Sequence, residues 1–227
     1  MPDAPPNADL LRSLGRLARG LSSLFWGLPA ALIVCVQTAR ADWLRSLEIA
    51  PALATLGLLL YGLGEMGAFQ KQERPWRAAL DRARLLGLIN LGLCPFLYWW
   101  NRVPDSAFFA LAVLVFALSG LLFLFNLNLV LQRLGAMLPD ETLRQETRQF
   151  TLLNRVLLLG LLLLAGLYIA TTQIPGLPFF LRVIALVLER AYFWVLILLV
   201  LLPLAMTMAL IWKTKEVILA SVFGAQR

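Results

Sequence analysis

Six long apolar stretches separated by short polar connections set the pattern of this chain. They run from about Leu21 to Val36, Leu47 to Phe69, Leu85 to Trp100, Ala107 to Leu131, Leu152 to Ile174 and Ala191 to Trp212. A helix that crosses a bilayer needs about 20 mostly apolar residues. Inside hydrocarbon every backbone amide must be satisfied within the protein, so only helices and closed barrels span. Most of these stretches are too long for strands. The pattern predicts an all-α fold, a polytopic transmembrane helical bundle of about six spans. The first and third stretches are short and gain length from the amphipathic residues before them. The segment from Pro178 to Leu188 predicts a separate interfacial turn or helix ahead of the sixth span.

The first nine residues are polar and rich in proline. After them Leu10, Leu14, Leu17, Leu21 and Leu24 recur at helical spacing, while Arg12, Arg16 and Arg19 share another face. This predicts an amphipathic helix at the inner interface, with Asp9 as its N-cap. The chain then divides into a polar head with an interfacial helix (1–20), a six-span domain (21–212) and a short basic cytoplasmic tail (213–227). A second reading of the start stays open. The arginines, the apolar run and Ala39-Arg40-Ala41 also fit a signal peptide with an A-x-A-like cleavage site, which would leave five spans and the N-terminus outside. The bulky Phe25, Trp26 and Pro29 in the apolar run argue against it.

Composition supports the lipid environment. The chain is 60% hydrophobic and 15% charged, with mean hydropathy +0.79, whereas a soluble domain is about a quarter charged. Its net charge of +7 would point to nucleic acid in a soluble protein, but the arginines flank apolar runs and no aromatic–basic stretch accompanies them. With the N-terminus inside, 15 basic residues fall in inner segments and 5 in outer ones. The positive-inside rule then places both termini in the cytoplasm. Trp43, Trp99 and Trp100 flank the outer ends of spans, and Trp76 and Trp212 the inner ends, as interfacial aromatics do. The expected setting is a bacterial inner (plasma) membrane, with anionic headgroups at the inner face as partners and no nucleic acid.

The two longer inner connections resemble each other. Leu63-Gly64-Glu65-Met66 precedes Arg77 and Arg84, and Leu134-Gly135-Ala136-Met137 precedes Arg148 and Arg155, under one shift of 71 residues. Arg12 and Arg19 repeat the seven-residue spacing, which puts each pair on one helical face. Three tandem helical hairpins would explain this, as would chance matches among abundant leucines and arginines. Pro75 and Pro139-Asp140-Glu141 are helix starts. Arg77 and Asp81 are spaced to pair. Glu141, Arg144, Glu146 and Arg148 offer a partner-binding surface or, as the plainer reading, a solvated charged face.

Candidate chemistry is sparse. Histidine is absent, which removes histidine-ligated zinc, haem and histidine-based triads. No phosphate loop, dinucleotide loop or nucleophile elbow occurs. No catalytic residue, metal ligand or cofactor is therefore expected, and Cys35 and Cys94 read as small buried hydrophobes. Polar groups in lipid are costly and mark candidate paths. Glu65, Asn90, Asn126 and Asn128 are the candidates for an ion or polar path, with Arg84 or Arg155 as counter-charge to Glu65. Asn154 and Gln132 lie near the same inner ends, and interhelical hydrogen bonding is the plainer role for the asparagines. Arg12, Arg19, Arg77, Arg84, Arg148 and Arg155 are the candidates for lipid-headgroup or partner contacts. Gly57, Gly62, Gly64 and Gly67 point to a central place for the second span.

These features rank three functions. A non-catalytic membrane module comes first: a scaffold, assembly factor or accessory subunit that contacts other membrane subunits or a second copy. A small-solute or ion transporter or channel comes second, and requires the polar candidates to converge on one path. A lipid-active membrane enzyme comes third, and requires an inner-face pocket where acids and arginines meet a headgroup.

Overall fold

The computed structural model describes residues 8–40, 47–69, 72–137, 141–173, 183 and 200–220, which are helical or in turns and short connections, with no strand among them. Among the described residues α1 Ala8–Arg40, α2 Ala50–Met66, α3 Arg74–Leu93, α4 Pro95–Arg102, α5 Ala107–Met137 and α6 Glu141–Gln173 follow in order. Residues 200–220 are helical as well. Two helical stretches, Arg12–Arg40 and Ala107–Met137, are long and apolar enough to cross a membrane. The remaining expected spans do not meet that measure among the described residues. The second apolar stretch folds as the 17-residue α2. The third is divided at Cys94, because Pro95 has no N–H to continue the α3 ladder and opens α4 instead. Residues 191–199 of the sixth stretch, the 178–188 segment apart from residue 183, residue 41, and Arg182, Glu189 and Arg190 lie outside the described residues.

The amphipathic segment and the first apolar stretch are continuous across residue 20. α1 is one helix of 33 residues, because Leu17, Leu21, Leu24, Leu28 and Ala31 form one unbroken buried stripe against the rest of the bundle. The apolar face of the amphipathic segment therefore packs on protein. The expected boundary after residue 212 is likewise bridged: the terminal helix continues to 220, and buried Thr214 and Ile218 extend the stripe begun by Leu210 and Ile211.

Buried positions recur at alternating spacings of four and three on most helices. On α2 they are Ala52, Leu56, Leu59, Leu63 and Met66, and on α3 Trp76, Leu80, Ala83, Gly87 and Asn90. On α6 they are Thr147, Thr151, Asn154, Leu158 and Leu161. Such stripes arise between helices packed at small crossing angles. α5 carries two: Phe123, Leu127, Val130 and Leu134, and beside them Leu124, Asn128, Leu131 and Gly135. It packs against α3, α4 and α6, whereas α2, for which a central place was expected, packs against α1 and α3. A Cβ added at Gly57 or Gly64 of α2 would meet nothing within 4 Å, whereas one at Gly62 would meet the backbone of another helix.

That meeting is with α1. A Cβ on Gly20 would lie 2.6 Å from the Gly62 carbonyl oxygen, and one on Gly62 would lie 2.9 Å from that of Gly20. The two backbones touch, as small residues allow in membrane helix pairs. α2 also packs on α3, α3 on α5 and α5 on α6. The rings of Phe25 and Trp212, 5.6 Å apart, bring α1 to the terminal helix. At the opposite end α4 joins α1 through Asn101 Nδ2, which donates to the Thr38 carbonyl at 3.4 Å. The faces turned away from these contacts are apolar too: Phe108, Leu111, Val115 and Leu122 on α5, and Leu152, Val156, Leu159 and Leu163 on α6, are exposed.

Candidate functional site

The polar side chains gather in two places. One is the end of α2 and its neighbours on α1 and α3. The other is the junction of α5, α6 and the terminal helix.

α2 ends at Met66 without a left-handed glycine, since Gly67 keeps right-handed helical angles (φ −68°). Its last carbonyls are instead bound by a side chain from α3. Arg84 Nη2 donates to the Leu63 carbonyl at 2.9 Å and to the Gly64 carbonyl at 3.3 Å. A cation here also complements the negative end of the α2 dipole. Arg84 Nη1 lies 3.5 Å from Asp81 one turn back, so Asp81 pairs with Arg84 and not with Arg77 as its spacing first predicts. Beside this cluster lies a cavity of about 290 Å³ lined by Gly67, Arg77, Leu80, Asp81 and Arg84. Arg77 is exposed and makes no ion pair among the described residues.

Glu65 faces α1. Its carboxylate stands 3.8 Å from Arg19 Nη2, so its partner is Arg19; of the two expected partners, Arg84 is committed to the α2 carbonyls and Arg155 is exposed. Helix rotation explains this: the turn that buries Leu63 and Met66 against α1 also carries Glu65 to the α1 side.

At the second site Thr207 of the terminal helix is the centre. Its hydroxyl donates to the Pro203 carbonyl at 2.7 Å, four residues back. It accepts from Asn128 Nδ2 at 3.0 Å and from Asn154 Nδ2 at 3.3 Å. Asn128 Nδ2 also reaches the Leu124 carbonyl at 2.9 Å. All three side chains are buried, at 0%, 2% and 1% exposure. Thr151 and Thr214 continue the polar seam, each bonded to a carbonyl one turn back. At its edge Lys213 pairs with Glu146 of α6, which removes Glu146 from the solvated face expected of it.

The four candidates for a polar path thus have separate settings. Glu65 belongs to the α1–α2 contact and Asn128 to the junction at Thr207. Asn126 is half-buried and donates to its own helix, to the Leu122 carbonyl at 2.9 Å. Asn90 is buried on α3, and its Oδ1 has no hydrogen-bond partner among the described residues. No hydrogen bond joins any two of the four among the described residues. Of the candidate headgroup contacts, Arg12, Arg19, Arg77, Arg148 and Arg155 are exposed, and Arg84 is partly buried. Sequence reasoning missed Thr207 and Thr151, and read Gly67 only as a close-packing glycine of the second span. The spacing of Thr147, Thr151 and Asn154 was a usable signal for the α6 seam, but nothing local marked Thr207. Among the described residues, no group of acids, cysteines and histidines could hold a metal. Both cysteines are free thiols.

Comparison with known protein families, with curated proteins and with solved structures finds no match to this chain.

Proposed function

We propose that this chain is a six-pass protein of a bacterial inner membrane, with both termini cytoplasmic, that acts as a non-catalytic helical module for the assembly or scaffolding of other membrane subunits. The observation that carries this reading is the use of its polar side chains. Asn128, Thr207 and Asn154 tie three helices together, Arg84 caps α2, and Arg19 meets Glu65 across α1 and α2. In each case a polar group satisfies another part of the bundle, which is what a scaffold needs and a conducting path does not. The outward apolar faces support residence in lipid, because only 17% of the most apolar stretch of α5 is buried within the protein. In water such a helix would be inside a core.

A second reading, a narrow path for protons or small cations, draws on three buried oxygens without partners: Asn90 Oδ1, Ser119 Oγ and Asn154 Oδ1. One experiment separates the two. The purified chain reconstituted into vesicles should leave proton and alkali-cation flux at the protein-free level. A flux abolished by Glu65→Gln or Asn90→Leu would replace the scaffold with a transporter. Reporter tags on the two termini should both report the cytoplasm, and tags on opposite sides would end the six-pass reading.

A further inference from the structure

We infer that the cavity between the end of α2 and the first turns of α3 binds a phosphate group, carried by the headgroup of an anionic phospholipid of the cytoplasmic leaflet; the lipid source rests on the inner-membrane reading above. The cavity holds about 290 Å³, near the lower size of ligand sites. Its lining carries two guanidinium groups and one carboxylate. The carboxylate, Asp81, is balanced by Arg84 at 3.5 Å. The α2 carbonyls that would repel an anion are covered, since Arg84 Nη2 holds those of Leu63 and Gly64. Arg84 is therefore fixed in place with donors to spare, and Gly67 leaves room for it. Arg77, one turn before Asp81 on the same face of α3, brings a positive charge with no ion pair among the described residues.

The surroundings of Arg77 carry an excess of positive charge. α3 starts at Arg74 after its N-cap Glu73, whose side chain makes no capping hydrogen bond, and its first turn holds no acidic residue. Arg74 and Arg77 thus load cations onto the positive end of a helix dipole, where anions are preferred. Across residues 70–84 there are five basic and two acidic side chains. A phosphate lodged against Arg77 and Arg84 would be held by paired, charge-assisted hydrogen bonds and would offset this excess. The cavity lies beside the first turns of α3, in a segment whose basic residues fall on the inner side in the proposed topology, where anionic headgroups gather.

The test uses the full chain in a neutral detergent, titrated separately with phosphatidylglycerol, phosphatidylcholine and inorganic phosphate. Tryptophan-detected melting and native mass spectrometry report binding. Phosphatidylglycerol should raise the melting midpoint and stay bound, with phosphatidylcholine much weaker. Arg77→Gln should weaken the phosphatidylglycerol effect about tenfold or more, Arg77→Lys should recover part of it, and Arg82→Gln, at an exposed position outside the cavity lining, should keep it. If inorganic phosphate alone reproduces the whole Arg77-dependent shift, the phosphate site stands and its source moves to the aqueous phase. Equal responses from the native chain and Arg77→Gln overturn the site. A chain that stays monodisperse without detergent would end the membrane reading while leaving the inorganic phosphate titration fully readable.

Discussion

Gly67 and Arg84 occupy one space: a Cβ at Gly67 would sit 2.1 Å from Arg84 Nη2. The glycine is there for room and not for backbone freedom, because its φ of −68° suits any residue. By leaving that room it lets an arginine 17 positions away close the carbonyl end of α2.

This relationship predicts a coupled pair of substitutions. Arg84→Ala leaves the Leu63 and Gly64 carbonyls without their donor and should cost about 1–2 kcal/mol. Gly67→Ala displaces the guanidinium and should cost somewhat less, since alanine also lowers the entropy of the unfolded chain. The double variant should be little worse than Arg84→Ala alone. Gly64→Ala, at a helical position with open space, should instead be neutral or stabilising by about 0.4–1 kcal/mol. Unfolding of the four variants in mixed detergent measures all of this.

The α1–α2 crossing predicts a steeper penalty. Gly20→Ala drives a methyl group to within 2.6 Å of a backbone oxygen that cannot rotate away. Overpacking of this kind costs about 1–3 kcal/mol, and Gly62→Ala should act in the same direction. Gly57→Ala, on the same helix with nothing near it, is the control. Disulfide cross-linking between cysteines introduced at Ser23 and Leu59 should slow in the two disruptive variants and not in the control.

Thr207→Val keeps the shape of the side chain and removes the oxygen that Asn128 and Asn154 share. Interhelical hydrogen bonds in membranes average about 0.6 kcal/mol, so losing the two amide bonds should cost about 1–2 kcal/mol. Thr207→Ser should retain most of the stability. An equal loss for valine and serine in thermal unfolding would mean that packing, and not the hydroxyl, matters at this junction.

Glu146 and Lys213 tie α6 to the terminal helix, and both are partly exposed. Glu146→Lys and Lys213→Glu should each destabilise modestly, and the exchanged pair should recover most of the loss. The coupling should be about 0.2–1 kcal/mol at low salt and shrink in molar salt. A coupling that ignores salt would rule out an ordinary screened ion pair.

Legibility differed between levels. The helix starts at Pro75 and Glu141 were readable, because proline and acidic residues satisfy a first turn locally. The Leu63-Gly64-Glu65-Met66 segment closes α2 at Met66. The tandem-hairpin reading, however, stays a sequence pattern: Arg84 caps α2, whereas on α6 it is Arg144 that reaches the α5 end, at the Ala136 carbonyl 3.4 Å away. The same arginine spacing thus serves different contacts in the two halves. Glu65 was legible as a paired acid, and its partner was not.

By itself the sequence determined that this chain is helical, where its apolar stretches lie, and that few polar groups would be enclosed with them. Those properties follow from side-chain type and period within one helix, which are local. Only the tertiary structure decided that Arg19 answers Glu65, that Arg84 closes α2, that α5 packs against α3, α4 and α6, and that Thr207 joins two distant asparagines. Each depends on the rotation and register of one helix against another, and a small change in either would exchange the partners while leaving every local pattern intact.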